Sequence, residues 1–136
     1  IDIHRTSKYN MPRYSMYERW YIMKIDKSLI GGSAILLVLT LLDEKDMYGY
    51  QIIKEIEIRS DKTFQFKEGS LYPVLHKLHS KGYVKSYMAK GETGKNRKYY
   101  QLTKNGRKQL VEQKEQWNRF SLSVNKVIGG TKNVYA

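Results

Sequence analysis

In residues 68–82, side chains that can donate hydrogen bonds to nucleic acid fall on one side of a segment with helical periodicity. Apolar side chains recur at i, i+3, i+4 and i+7, which predicts one buried stripe made of Leu71, Val74, Leu75 and Leu78. The opposite face carries Tyr72, Pro73, His76, Lys77 and Ser80. A phenol, an imidazole, an ammonium and a hydroxyl can donate hydrogen bonds to phosphates and to base edges. The pattern therefore predicts a helix that packs by one face and binds an anionic polymer by the other.

The ends of this helix are expected at Ser70 and Lys81. Ser70 is an N-cap residue type, Pro73 fits the first turn, and Gly82 can end the helix in a left-handed conformation. The residues expected to meet base edges are Pro73, His76, Lys77 and Ser80, and Lys77 can donate to guanine. Tyr72 is expected to bind the phosphate backbone.

Positive charge is concentrated behind this segment. The chain of 136 residues has a net charge of +12, and residues 71–108 hold ten Lys or Arg and one acidic residue, Glu92. The window thus carries +9 of the +12. Basic residues focused on one stretch are typical of a phosphate-binding surface. Four of them are expected at the tip of a hairpin, namely Lys90, Lys95, Arg97 and Lys98.

Other kinds of chemistry find no support in the sequence. There are no cysteines, which excludes disulfides and thiol nucleophiles and suits a reducing cytoplasm. His76 and His79 lack a third converging ligand, and no nucleophile–base or carboxylate pair stands out, so we expect no metal, no cofactor and no enzyme. The uncharged run 28–42 has 15 residues, fewer than the roughly 20 that a membrane-spanning helix needs.

The order of elements predicts a mainly α fold with a small β-hairpin wing. We expect helices over residues 28–42, 48–59 and 70–81, and a last helix capped by Thr103 that reaches Val127. Phe64 to Phe66 alternates like a short strand, and residues 83–88 and 97–102 form a hairpin. This order is that of a winged helix-turn-helix with long N- and C-terminal dimerisation helices. It divides the chain into a non-native or vector-derived extension (1–22), a winged-helix domain (23–102), a dimerisation helix (103–129) and a tail (130–136).

Two helices carry more apolar surface than one small domain can bury. The first helix is apolar around its whole circumference, and the last has a seam of large residues at heptad spacing. The sequence therefore predicts a homodimer. Its interface residues are expected to be Leu29, Leu36, Leu110, Trp117, Phe120, Val124 and Val127.

Four segments together resemble the PadR family of bacterial transcriptional regulators. They are residues 48–53 (YGYQII), 68–78 (EGSLYPVLHKL), 82–84 (GYV) and 97–106 (RKYYQLTKNG). The resemblance implies a homodimeric repressor that binds double-stranded DNA at a near-palindromic operator. The resemblance also implies that the hairpin wing contacts the DNA backbone beside the site of the recognition helix. As in some compact members of the family, a flat aromatic effector is expected to bind between the subunits near Trp117. The residues expected to bind DNA are Tyr48, Ser70, Tyr72, Pro73, His76, Lys77, Ser80, Lys90, Lys95, Arg97 and Lys98.

Two functions remain open on the sequence. One is sequence-specific DNA binding by a repressor. The other is a winged-helix module that binds a protein or RNA partner and uses its basic face only for weak contacts. A salt-dependent, sequence-selective complex with two-fold footprints on DNA distinguishes the first from the second.

Overall fold

The computed structural model describes Ser15 and residues 25–129, apart from the side chain of Lys27. The predicted tail (130–136) and, except for Ser15, the predicted extension (1–22) lie outside these residues. Helix α1 spans Lys27–Glu44, followed by strand β1 (Met47–Tyr48), α2 (Gly49–Arg59), α3 (Glu68–Ser80), β2 (Val84–Lys90), β3 (Asn96–Leu102) and α4 (Lys104–Ile128). The predicted mainly α fold with a hairpin wing, a winged helix-turn-helix, is confirmed.

The sheet differs from the predicted one in its third strand. Its order is β1-β3-β2 with both pairs antiparallel, and Met47 and Tyr48 lie opposite Tyr100 and Tyr99. The strand predicted over Phe64 to Phe66 is wrong, because these residues form an irregular connection between α2 and α3. Phe66 is buried and Phe64 packs against the core, so their alternation reflects side chains inserted from a loop.

The core lies between the four helices and the inner face of the sheet. The predicted stripe of α3 is largely confirmed, since Leu71, Leu75 and Leu78 are at most 1% exposed, while Val74 is partly buried. Val38 and Leu39 of α1 and Ile52 of α2 are fully buried beside them. Burying one face of α3 in this way fixes which of its side chains face solvent.

Helix α3 begins earlier than predicted. The amides of Ser70 and Leu71 both donate to the carbonyl of Lys67, so Lys67 is the N-cap residue and Ser70 lies inside the first turn. The prediction of Ser70 as the cap is therefore wrong. Pro73 is consequently in the second turn, where it lacks the amide that would donate to the Gly69 carbonyl.

The end of α3 agrees with the prediction for Gly82. Gly82 has a φ of 75°, and the amide of Tyr83 donates to the Leu78 carbonyl at 2.9 Å. This left-handed turn satisfies a carbonyl of the last helical turn and leads the chain directly into β2.

Helix α4 starts against the end of α3. The Thr103 hydroxyl donates to the Gly82 carbonyl at 2.6 Å and accepts from the Gly106 amide at 3.0 Å, which confirms Thr103 as the N-cap. Gly106 is buried, and a Cβ at this position would overlap the Tyr83 carbonyl oxygen. Only glycine allows α4 to pack this closely on the residues that follow α3.

The end of α1 is held by two arginines from other helices. Arg59 of α2 donates to both carboxylate oxygens of Glu44, at 2.6 and 2.8 Å, and Arg107 of α4 donates to Asp43 at 3.1 Å. The hydrogen bonds from Arg59 lower the pKa of Glu44 below its ordinary value. These pairs join α1 to the helix-turn-helix and to α4.

Candidate nucleic-acid interface

The solvent-exposed face of α3 presents the side chains that the sequence predicted. All six candidates on this helix are exposed: Ser70, Tyr72, Pro73, His76, Lys77 and Ser80. They share the face opposite the buried leucines, so hydroxyl, phenol, imidazole and ammonium donors are available together. A helix with this arrangement can enter a groove without losing its packing against the core.

Tyr72 connects α3 to the start of α2. Its ring is 45% exposed, and its hydroxyl lies 3.0 Å from the position that a Cβ on Gly49 would occupy. Gly49 is the first residue of α2, and the preceding amide, of Tyr48, donates to the Gln51 side chain at 3.1 Å. The Tyr72 hydroxyl is thus held at a helix N-terminus, where backbone amides and the helix dipole favour an anion.

The outer face of the wing carries a cluster of tyrosines and one arginine. The Arg97 guanidinium lies 5.1 Å from the centroid of the Tyr48 ring, and Tyr48 meets Tyr99 edge to face at 5.4 Å. Tyr99 stacks on Tyr87 with ring centroids 5.7 Å apart. Arg97 is half-buried, and its Nε has no hydrogen-bond partner among the described residues. We call Tyr48, Tyr87, Arg97 and Tyr99 the outer aromatic cluster.

The positions of Tyr48 and Arg97 differ from the simple expectation of exposed contacts. Tyr48 is half-buried between Arg97 and Tyr99, so its ring supports the arginine. This pairing was not predicted from the sequence. Strand alternation places Arg97, Tyr99 and Tyr87 on one face, but the third strand that brings Tyr48 beside them was not predicted.

The outer aromatic cluster is anchored to the body of the domain through Asp46. The Tyr87 hydroxyl donates to the Asp46 carboxylate at 2.5 Å, and the Gln101 side-chain amide donates to the same oxygen at 3.2 Å. The hydrogen bond to Asp46 raises the pKa of the Tyr87 phenol. The wing is therefore fixed to the loop before β1 as well as through its strand pairing.

The remaining basic residues of the wing are exposed. Lys90, Lys95 and Lys98 are all on the surface, and Lys98 Nζ lies 5.8 Å from the Tyr100 ring, on the face of β3 opposite Arg97. Gly94 has a φ of 82° and closes the turn between the strands. Basic side chains thus flank the hairpin on both faces.

Little negative charge offsets these cations within the described part of the chain. The ion pairs of residues 25–129 use Lys54, Arg59 and Arg107, and none involves Lys77, Lys90, Lys95, Arg97 or Lys98. The wing and α3 therefore keep their positive charge available for a polyanion.

Helix α2 carries a pair of neighbouring surface side chains, Tyr50 and Lys54, which was not predicted from the sequence. Tyr50 is 53% exposed in the first turn, and Lys54 Nζ lies 5.7 Å from its ring. The sequence indicated only that Lys54 faces outward. An exposed tyrosine followed four residues later by a lysine is the signal that could have identified them.

The face predicted for a partner chain lies on α1 and α4. Large apolar residues on it are exposed in the single chain, namely Leu29, Trp117, Phe120, Val124 and Val127, and Leu36 is partly buried. The Trp117 and Phe120 rings are 6.1 Å apart at an interplanar angle of 34°. Leu110 is a correction, since it is 3% exposed and belongs to the core of its own chain, where α4 packs on α1.

The described residues contain neither a metal site nor a membrane-spanning helix. Over residues 25–129 no group of three or more His, Cys, Asp or Glu side chains could hold a metal ion. No helix in the same range is long and apolar enough to cross a bilayer.

Comparison with known proteins identifies the family. Residues 38–112, from the middle of α1 to the first third of α4, match the model of the transcriptional regulator PadR-like family. The chain belongs to the PadR-like family. PadR-like proteins are DNA-binding transcriptional regulators and not enzymes, and dimerisation is typical of them. This agrees with the donor face of α3 and the unpaired cations of the wing.

Several relatives cover most of the same region. An uncharacterised protein of Lysinibacillus sphaericus is 37% identical over 93 residues, which are 68% of this chain and 85% of that one. A transcriptional regulator from Clostridium thermocellum is 37% identical with a TM-score of 0.68, over 75% of this chain and 96% of that structure. A PadR family transcription regulator from Clostridium difficile is 34% identical with a TM-score of 0.61, over 71% and 98%.

Proposed function

We propose that this PadR-like regulator is a homodimeric repressor that binds a near-palindromic operator in double-stranded DNA. The observation that carries this proposal is the exposed donor face of α3, which the buried leucines hold toward solvent. The unpaired lysines of the adjacent wing add the charge that a phosphate backbone attracts. Binding to a bacterial operator implies that the protein acts in the cytoplasm.

In this proposal α3 enters the major groove. Lys77 donates to guanine O6 and N7, His76 donates to a base acceptor, and Pro73 contacts a thymine methyl. Ser80 also faces a base edge, whereas Ser70, in the first turn of the helix, donates to the flanking backbone. Base identity is thereby read by the exposed face of α3.

Contacts with the backbone set the position of α3 in the groove. The Tyr72 hydroxyl donates to a phosphate that also meets the N-terminal amides of α2. Lys90, Lys95 and Lys98 bind phosphates beside the flanking minor groove, and Arg97 enters that groove from its position on Tyr48. These contacts act on all sequences, so they supply affinity more than selectivity.

A second copy of the chain covers the apolar face of α1 and α4. The exposed Leu29, Trp117, Phe120, Val124 and Val127, with Leu36, are the residues that it buries. Two-fold symmetry then requires two half-sites separated by about 10 base pairs or a multiple of it. The Trp117 ring, half-exposed beside Phe120, offers a surface on which a flat aromatic effector stacks between the subunits and releases the operator.

Selection of binding sites from a random DNA pool tests the proposal, followed by footprinting of the selected duplex. We expect a two-fold motif protected on both half-sites and an affinity that falls steeply with salt. Recovery of no motif, together with equal affinity for unrelated duplexes, would favour the alternative of a winged-helix module for a protein or RNA partner.

A further inference from the structure

The Tyr72 phenol occupies space that is open only because residue 49 is glycine. A Cβ at position 49 would lie 3.0 Å from the Tyr72 hydroxyl oxygen and 3.3 and 3.4 Å from two ring carbons. Separations this short are tighter than ordinary van der Waals contact, so either the ring or the helix would have to shift. Gly49 has no positive φ, so its backbone does not require glycine. The constraint comes from the approach of Tyr72.

The side chain that must give way is Tyr72 and not α2. Tyr72 is 45% exposed and free to move toward solvent, whereas α2 is held by Ile52 and Ile56 in the core and by Arg59 on Glu44. A methyl group at position 49 would therefore move the phenol by a few tenths of an ångström and leave the fold in place. The Tyr72 atom nearest the added methyl group is the hydroxyl oxygen, which is the hydrogen-bond donor of the side chain.

We infer that Gly49 is a positioning residue for DNA binding, which acts by leaving the space that the Tyr72 hydroxyl occupies at the start of α2. This inference rests on the proposed function of Tyr72 as a phosphate contact and extends it to a residue that touches no DNA itself. The ligand at the hydroxyl is a phosphodiester of the operator backbone. A larger residue at position 49 weakens binding to every sequence, because it moves a backbone contact and no base contact.

The inference is tested by a double-mutant cycle on the full chain. The variants are Gly49→Ala, Tyr72→Phe and both together, measured on the operator selected with the unmodified protein. A hydrogen bond to a charged acceptor corresponds to roughly tenfold in affinity or more per subunit. We expect Tyr72→Phe to lose that factor, Gly49→Ala to lose part of it, and the double variant to lose no more than Tyr72→Phe alone. A purely structural role of Gly49 predicts multiplied losses, which would overturn the inference.

A matched control separates this effect from a general effect of adding a methyl group. Gly69 is in the first turn of α3, on the same helix-turn-helix, and a Cβ there meets nothing within 4 Å. Gly69→Ala should leave the affinity unchanged. An equal loss in Gly69→Ala and Gly49→Ala would contradict the inference.

The dependence of DNA affinity on salt distinguishes loss of the Tyr72 contact from loss of a basic contact. Tyr72 is a neutral donor, so Gly49→Ala should lower the affinity without altering the slope of log affinity against log salt. The selected motif should also remain the same. A flatter slope or a changed base preference in Gly49→Ala would count against the inference.

A spectroscopic measurement tests the same displacement with a second substitution at position 49 and does not depend on the affinity of Gly49→Ala. With 3-fluorotyrosine at position 72, the fluorine resonance should move when the operator is added to the unmodified background. A Gly49→Ser background, checked for folding by circular dichroism, should shift the free resonance and reduce its response to DNA. An unaltered resonance would overturn the inference, whereas failure of the unmodified protein to bind any operator would overturn the proposed function instead.

Discussion

The guanidinium of Arg97 lies over the ring of Tyr48, 5.1 Å from its centroid. The pair joins the wing to the residue that precedes α2, although the two positions are far apart in the sequence. A cation–π contact of this kind contributes about 0.5–1 kcal/mol. It uses the face of the guanidinium, while the buried Nε stays without a hydrogen-bond partner among the described residues. The contact with Tyr48 and the half-burial therefore fix the position of the Arg97 side chain in the free chain.

Replacement of Arg97 by lysine should change the preference for the DNA sequence that flanks the operator. Arg97→Lys retains the charge but loses the planar group that stacks on Tyr48 and fits a narrow minor groove. We expect the variant to lose the preference for A·T-rich flanks while its salt dependence stays unchanged. Fluorescence anisotropy on operators with A·T-rich and G·C-rich flanks measures this, and an undiminished flank preference would contradict it.

Binding should weaken steeply with salt, and the wing lysines should account for part of the slope. Each phosphate neutralised contributes about 0.9 to the slope of log affinity against log salt. Lys95→Ala with Lys98→Ala removes four cations from a dimer, so we expect a flatter slope and a similar loss on all sequences. A control that removes the same charge is Lys45→Ala with Lys114→Ala, the two lysines near Glu44. Equal slopes in the two double variants would exclude the wing from the interface.

Base preference should depend on Lys77. Loss of a good base contact costs about 1–3 kcal/mol at one position. Lys77→Ala should therefore relax the selected motif at one symmetric pair of base pairs, whereas Tyr72→Phe should weaken binding to every sequence alike. Selection from a random pool with each variant decides between them. An unchanged motif in Lys77→Ala and a changed one in Tyr72→Phe would mean that the two roles are reversed.

The unmodified chain should be a dimer at micromolar concentration. Trp117→Glu with Phe120→Glu places two charges on the exposed apolar face of α4, and we expect monomers or unfolded protein. Gln116→Glu with Asn118→Asp adds the same charge at exposed neighbouring positions and should leave the dimer intact. Light scattering coupled to gel filtration measures the mass. A folded monomer of the unmodified chain would refute the predicted interface.

Two glycine substitutions should change stability in opposite directions. Gly106→Ala forces a methyl group into the Tyr83 carbonyl, and overpacking of this kind costs about 1–3 kcal/mol or more. Gly69→Ala meets no neighbour in a helix and should stabilise the protein by about 0.5–1 kcal/mol. Urea unfolding gives both values, and a neutral Gly106→Ala would show that the contact between α4 and Tyr83 is loose.

The parts of the fold that follow from local periodicity were predicted from the sequence. The buried stripe of α3, the hairpin and the Thr103 cap each depend on residues close in the chain, and the structure confirms them. The exposed candidates on α3 follow directly from the stripe.

Features that depend on contacts between distant residues were not predictable in this way. The β1 strand exists because Met47 and Tyr48 pair with β3, and two residues carry no periodic signal. Leu110 shares heptad spacing with Trp117, yet the core of the chain covers the first while the second is exposed. Only the position of α1 along α4 decides where the core ends and the exposed face begins.

The hydrogen bond from Thr103 to Gly82 and the close contact at Gly106 connect the end of α3 to the start of α4. The two helices should therefore move together. Helix α4 has 25 residues and is therefore about 37 Å long. A tilt of about 10° about its C-terminal end would displace its N-terminal end, which contacts α3, by about 6 Å. That displacement approaches two base-pair steps of DNA. In the proposed dimer, the angle between the two subunits would thus determine the distance between operator half-sites. A change far from the DNA could retune the preferred spacing without altering any residue that touches a base.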